Sequence, residues 1–227
     1  MRMSPAKAEM KTLRILIADD HDLMRRGIKE MLQSHAGWEI CSEARNGRAA
    51  VSAAGKLKPD IAILDISMPD LNGLEAARRI RKESPNTEIL ILSLHHSDQL
   101  IRRIIDAGIK GYILKTDSDR DLITAVETLA NHKPFLTSCA SELMLTNLTN
   151  GGALARADQP LRDRLTSRER EIVQLLAEGK SSKEVASLLF ISTKTADTHR
   201  ANIMRKLQIH TVSGLVRYAV RNQIVEA

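Results

Sequence analysis

The stretch IAILDISMPDLNG (61–73) runs four apolar residues into a carboxylate and then breaks into a turn. So short an apolar run, with no polar residue alternating through it, reads as a strand covered on both faces. Pro69, Asp70, Asn72 and Gly73 supply the turn chemistry, and beyond them Leu74, Ala77, Ile80 and Arg81 recur at helical spacing. The same cycle repeats on either side. LRILIA (13–18), WEICSEA (38–44), EILILSL (88–94) and GYIL (111–114) are further strand-like runs, with amphipathic stretches such as Ile101, Ile104 and Ile105 between them. Five strands alternating with five helices require parallel βαβ units, because helical crossovers are what joins parallel neighbours.

The alternation stops at Pro134. Residues 134–160 hold one short helical pattern (138–148) followed by TNGGALARADQP, whose glycines and proline mark a linker. From 161 onward there are only helical patterns, broken near Gly179, Ser192 and His210. The expected organisation is an α/β module over 12–133, a linker with a short helix over 134–160, and a small all-α module of four helices over 161–227.

Composition narrows the class. With 43% hydrophobic and 27% charged residues of both signs in 227, the chain is neither disordered nor fibrous. No apolar run is long enough for a membrane span, and the first twelve residues lack a signal-peptide core, so a cytoplasmic location is expected. Cys41 and Cys139 have no ligand-type neighbours and read as buried free thiols. Of the formal +6 charge, +5 falls in residues 161–227, an asymmetry that suits a polyanion.

In an open parallel sheet, ligands bind beyond the carboxyl ends of the strands. The residues there are Asp19 and Asp20, Asp65, Ser93 and Lys115, each group following a different strand. Packed carboxylates repel unless a cation joins them, and an all-oxygen cluster suits Mg²⁺. A lysine beside such a cluster can clamp a transferred phosphoryl group, for which the central Asp65 is the best-placed nucleophile. Blander roles exist for neighbours: Asp22 and Asp98 read as helix N-caps, and His95 and His96 as solvated loop residues.

ADDH (18–21), LDISMPDLNG (64–73), Ser93 and GYILK (111–115) together resemble the receiver domain of a two-component response regulator, over about residues 12–133. The resemblance implies a doubly wound, five-stranded parallel sheet of flavodoxin-like order 2-1-3-4-5. It also implies that Asp65 is the phosphoacceptor and that Asp19, Asp20, Asp65 and the Ser67 backbone carbonyl hold Mg²⁺. Ser93 would be the switch hydroxyl, Lys115 the phosphate-binding lysine, and Tyr112 the switch aromatic that turns from solvent into the sheet edge. Leu94 stands where receivers often have Ala or Gly, beside the phosphate.

The second module carries its own punctuation. Thr166 or Ser167, Ser181 or Ser182, and Ser192 or Thr193 read as N-caps, and Gly179 ends the first helix. Ile172, Leu175, Leu176, Val185, Leu188, Leu189, Ile191, Ile203 and Leu207 form one small core, with Ala196 also facing inward. The outer face of the third helix shows Lys194, Asp197, Thr198 and Ala201 toward base edges. Lys180, Lys183, His199, Arg200, Arg205 and Lys206 are placed for phosphates. Two helices joined by a short turn, the second so decorated, make a helix-turn-helix.

Residues 163–222 resemble the LuxR-type DNA-binding domain, and the whole arrangement is similar to NarL/FixJ response regulators over about nine-tenths of the chain. That resemblance implies double-stranded promoter DNA, a sensor histidine kinase and a homodimer as partners. The apolar stripe Val212, Leu215, Val216 and Ala219 on the last helix faces the core or a partner; by the resemblance this helix would form the dimer contact, and the helix from Leu23 to Leu32 would meet the kinase. Ala196 replaces the family's usual Val, and Asp197 a frequent Lys or Arg. An enzyme is disfavoured: a dehalogenase-type phosphatase needs a second acid two residues after the nucleophile, where this chain has Ser67. What remains as activity is phosphorylation and autodephosphorylation at Asp65. A regulator that binds DNA without phosphorylation, using the first module only for docking, is the remaining alternative.

Overall fold

A computed structural model describes residues 12–94, 97–136 and 165–225. The first module alternates strands and helices: β1 (Leu13–Ala18), α1 (Asp22–Gln33), β2 (Trp38–Ala44), α2 (Gly47–Leu57), β3 (Ile61–Asp65), α3 (Gly73–Glu83), β4 (Glu88–Ser93), α4 (Asp98–Asp106), β5 (Gly111–Leu114), α5 (Ser118–Ala130) and β6 (Phe135–Leu136). The strands pair in parallel in the order β2-β1-β3-β4-β5-β6. Successive residues of a strand face opposite sides, so Leu16 and Leu64 join the core beneath α2, α3 and α4 while Ile15, Ile17 and Ile63 join the one beneath α1 and α5. Every residue of β3 is buried, as its unbroken apolar run requires.

The sheet has six strands, not five. Phe135 and Leu136 pair with Gly111 and Tyr112, and the Phe135 N–H donates to the Lys110 carbonyl. Two residues are too few for a period-2 pattern, so nothing short of the partner strand reveals them; they cover part of an otherwise open sheet edge. The short helical pattern expected at 138–148, His95, His96 and Cys139 lie outside the described residues. Cys41 is half-buried rather than buried, and burial raises its thiol above the usual range. Asp22 and Asp98 are first-turn residues and not caps, since His21 and Ser97 occupy those positions.

The loop from β3 to α3 is held by two close backbone approaches. A Cβ on Gly73 would lie 2.0 Å from the Asp65 carbonyl oxygen, and one on Gly47 would lie 2.0 Å from that of Leu71. Glycine is what lets the chain fold back on the strand end that carries Asp65.

The second module consists of α6 (Ser167–Ala177), α7 (Ser182–Leu189), α8 (Thr193–Leu207) and α9 (Val212–Arg221). Thr166 with Glu169 and Ser181 with Glu184 form reciprocal capping boxes, and Ser192 caps α8, each worth about 1 kcal/mol. Ile172, Leu175, Val185, Leu189, Ala196, Ile203, Leu207 and Leu215 close the core, with Leu188 and Ile191 partly buried against it.

Candidate functional site

Sheet geometry explains the pocket. Asp19 follows β1, Asp65 ends β3, Ser93 ends β4 and Lys115 follows β5, so four strand ends deliver side chains to one rim. The Lys115 ammonium lies 2.9 Å from Asp19 Oδ2 and 3.0 Å from Asp65 Oδ2, with all three side chains nearly inaccessible. Ser93 is also buried, whereas Asp20 stands at the rim. Ligand atoms of Asp19, Asp20, His21 and Asp65 fall within 4.8 Å of one another. One lysine against three carboxylates leaves the cluster short of positive charge, and carboxylate oxygens are the donors a hard divalent cation takes. The residues therefore fit Mg²⁺.

Burial, reinforced by Asp19, pushes the Asp65 carboxyl up to about 6, against the opposing pull of Lys115. Burial would lower the Lys115 ammonium, but Asp65 and Asp19 outweigh it and raise it. A proton on Asp65 competes with a cation. Mg²⁺ affinity is therefore expected to level off above pH 6 and to be about tenfold weaker at pH 5 than at pH 7, as calorimetric titration would show. Affinity independent of pH across that interval would remove Asp65 from the ligand set.

In the helical module, Lys194, Asp197, Thr198, Ala201 and Arg205 are exposed along one side of α8, while Ala196, Ile203 and Leu207 are buried on the other. Lys183 is exposed, and Lys180, His199 and Arg200 are half-buried. Lys206 differs from a free phosphate contact: its ammonium lies 2.8 Å from Glu169 and ties α8 to the start of α6. Thr198 Oγ1 donates to the Lys194 carbonyl at 2.8 Å, and Arg205 donates to Asn202 Oδ1 at 3.0 Å.

Comparison with known proteins settles the family. The response regulator receiver domain matches residues 15–127, and the bacterial regulatory proteins of the luxR family match residues 163–219. The transcriptional regulatory protein MctR of Rhizobium johnstonii is 33% identical over 217 residues, covering 96% of this chain and 97% of that protein. The chain belongs to the LuxR-type response regulators. The response regulator protein VraR of Staphylococcus aureus is 34% identical over 215 residues, 95% of this chain and all of that one. Among solved structures, RcsB from Salmonella enterica serovar Typhimurium, bound to promoter rprA in the presence of the phosphomimetic BeF3−, superposes with a TM-score of 0.59 at 25% identity, covering 91% of this chain and 98% of that one.

As a response regulator of this type, the protein combines a flavodoxin-like receiver with a DNA-binding module and regulates transcription in response to phosphorylation. Among the described residues, no helix is long and apolar enough to cross a membrane. Three residues of its site stand otherwise than the sequence predicts or beyond what it predicts. Tyr112 is fully buried rather than facing solvent, because its ring joins the core cluster that includes Leu100, Ile101 and Ile104 of α4, and its backbone pairs with Leu136 of the extra strand. His21, quoted in the motif but given no role, brings Nδ1 to 3.1 Å from Asp20 Oδ1 and 3.5 Å from Asp19 Oδ1. Arg25 lies outside every motif quoted; buried in α1, it donates to the Asp19 carbonyl at 2.7 Å and so braces the acidic pair.

Proposed function

We propose that a sensor histidine kinase phosphorylates Asp65 and that this modification promotes pairing of two chains on promoter DNA. The observation that carries it is the Asp65 carboxylate, buried at a strand end 3.0 Å from Lys115 and beside Asp19 and Asp20. A carboxylate oxygen of Asp65 attacks the donor phosphorus; the bond from phosphorus to the kinase imidazole nitrogen breaks, and that nitrogen keeps the electron pair. Mg²⁺ held by Asp19, Asp20, Asp65 and the Ser67 carbonyl would neutralise the phosphoryl oxygens during transfer. Lys115 then exchanges its partner carboxylate for a phosphoryl oxygen, and Ser93 donates to another. The movement of Ser93 is read by Tyr112, whose ring already lies inside the sheet edge. Leu94, 41% exposed, stands beside this opening and slows the approach of donor and of hydrolytic water.

Receiver, linker and DNA-binding module follow the division 12–133, 134–160 and 161–227, in a cytoplasmic protein whose α1 meets the kinase. The helix α9 supplies the homodimer contact, and α8 enters the major groove of double-stranded DNA. Anisotropy of labelled promoter fragments with Mg²⁺, with and without beryllofluoride, tests the whole reading. Tighter binding with the phosphate mimic supports it. Unchanged binding leaves a DNA-binding protein whose receiver serves docking alone.

Contacts on α7 and α8 separate by class. Lys183→Ala is expected to weaken binding to selected and random DNA alike and to reduce the salt slope by about 1, whereas Thr198→Ala shifts sequence preference. Lys206→Ala also weakens all binding, but it breaks the bridge to Glu169 as well. Equal losses on both DNA types for Thr198→Ala would remove it from the base-facing set.

A further inference from the structure

Two arginine clusters lie where the receiver meets the DNA-binding module, and they differ in what stands at their centre. In the first, the fully buried Glu171 of α6 takes Arg48 of α2 on Oε1, with Arg79 of α3 at 2.7 Å and Arg168 at 2.9 Å on Oε2. Three guanidiniums there converge on one carboxylate. In the second, Arg78 of α3, Arg103 of α4 and Arg170 of α6 line a cavity of about 220 Å³, together with Asp106, Tyr218 and Asn222. Arg78 Nη1 lies 3.1 Å and Arg170 Nη1 3.5 Å from the same oxygen of Glu75, whose side chain is buried. Arg103 donates to the Asn222 carbonyl at 2.8 Å, and Gln99 of α4 holds the Asn222 side-chain oxygen at 3.1 Å. Asp106 is the one acid on the cavity wall among the described residues, and it is exposed, where solvent screens it.

We propose that this cavity is a binding site for a diphosphate group. Guanidinium forks match phosphoryl oxygens, which accept parallel hydrogen bonds from both arms of a fork. Arg78 and Arg170 share a single oxygen of Glu75, so most of the five N–H donors that each carries are available to a ligand. All three guanidiniums are half-buried, and the lower polarisability of that setting strengthens their pull on an anion. Like charges gathered from three helices repel one another, and an anion among them turns that repulsion into attraction. The volume is that of roughly seven waters, enough for two phosphoryl groups but not for a nucleoside beside them. Clefts between domains are a common place for small-ligand sites. Arg78 and Arg103 belong to the receiver and Arg170 to the other module, so the ligand would bridge the two. The site uses neither Asp65 nor the outward face of α8, and it stands or falls independently of both.

The test titrates the full chain with sodium pyrophosphate by calorimetry at constant ionic strength, in EDTA so that no metal ion enters the acidic pocket or complexes the probe. Saturable binding of one pyrophosphate per chain is expected, with a thermal midpoint that rises as the site fills. Arg78→Gln and Arg170→Gln should each weaken binding about 10-fold, the loss of a charge-assisted hydrogen bond. Asp106→Asn should tighten it about 2- to 3-fold by removing a charge of the ligand's own sign. Damage to the fold cannot produce that gain, so the Asp106 variant decides the matter if an arginine variant fails to fold. Asp65→Asn and Lys194→Ala locate the anion: both should bind pyrophosphate within about twofold of wild type. A large loss with Lys194→Ala would place the anion on α8, a large change with Asp65→Asn would place it beside Lys115, and either overturns the cavity site. So does the absence of saturable binding, or displacement by an equal concentration of sulfate. Adenosine diphosphate then separates the two sources of the group. Affinity at or above that of pyrophosphate assigns a nucleotide whose nucleoside reaches out into solvent, and lower affinity assigns free pyrophosphate.

Discussion

Asp65→Asn is expected to abolish acceptance of a phosphoryl group, and with it any effect of beryllofluoride on DNA affinity, while making the receiver more stable. The carboxamide has no anionic oxygen to attack phosphorus, and it removes one of the three carboxylates that fit Mg²⁺. A phosphodonor that modifies the wild type should add no mass to the variant. DNA binding should remain at the level of the unactivated protein, forfeiting a response in the usual range of about 5- to 150-fold. The gain in stability follows from burial. The Asp65 carboxyl is raised from 3.8 to about 6, so between those values the folded chain holds a proton that the unfolded chain has released, and stability falls as pH rises through this interval. Above pH 6 the ionised group costs up to about 3 kcal/mol, which the neutral amide avoids. The stabilisation should therefore be full at pH 7 and fade as pH drops toward 3.8. Denaturant unfolding at pH 7 and pH 4 measures it, and a variant less stable than wild type at pH 7 would mean that Lys115 outweighs burial.

Gly73→Ala is the second large effect, and it strikes the backbone rather than the chemistry. Its Cβ would lie 2.0 Å from the Asp65 carbonyl oxygen and 2.8 Å from the carbonyl carbon, both of them main-chain atoms of a fully buried strand end. No side-chain rotation relieves such a contact, so α3 must move away, and the bond from the Gly73 N–H to the Ile66 carbonyl at 3.0 Å goes with it. A loss of about 3 kcal/mol is expected, together with weakened Mg²⁺ binding because the loop bearing Ser67 shifts. Gly27 is the control. It lies inside α1 with nothing within 4 Å of its added Cβ, so Gly27→Ala should be neutral or stabilising by up to about 1 kcal/mol. Thermal unfolding of the two variants side by side decides it: similar midpoints would show that the close approach at Gly73 is not a constraint.

The separate fates of these two glycines illustrate what a linear chain discloses. Neither spacing nor composition tells Gly27 from Gly73; only the return of the β3–α3 loop onto Asp65 does. The ends of the first five strands were legible to within one residue, because period and run length are local properties that need no knowledge of the pairing. Asp19, Asp65, Ser93 and Lys115 thus come together as expected, since parallel strands with helical crossovers must bring their carboxyl ends to one rim. The caps Thr166, Ser181 and Ser192 were legible to one of two adjacent residues for the same reason, each being a side chain bonded to backbone three residues away.

The remainder depended on long-range placement. Leu136 is a strand residue only because Tyr112 lies beside it, and the same neighbour helps explain why the tyrosine is inside. Glu171 and Gln174 sit among Ile172, Val173, Leu175 and Leu176, where buried polar side chains look like flaws in an apolar face until the receiver's arginines and loop arrive from about a hundred residues away to satisfy them. Lys206 reads as a surface cation until Glu169 is found 2.8 Å from it. Periodicity, turn chemistry and caps are written in residues a few positions apart, so the order of elements and the rim of the sheet follow from the chain alone. Which buried charges meet, which edge is covered and how the two modules touch depend on free energies shared between residues far apart in sequence, and those were decided only when the chain was packed.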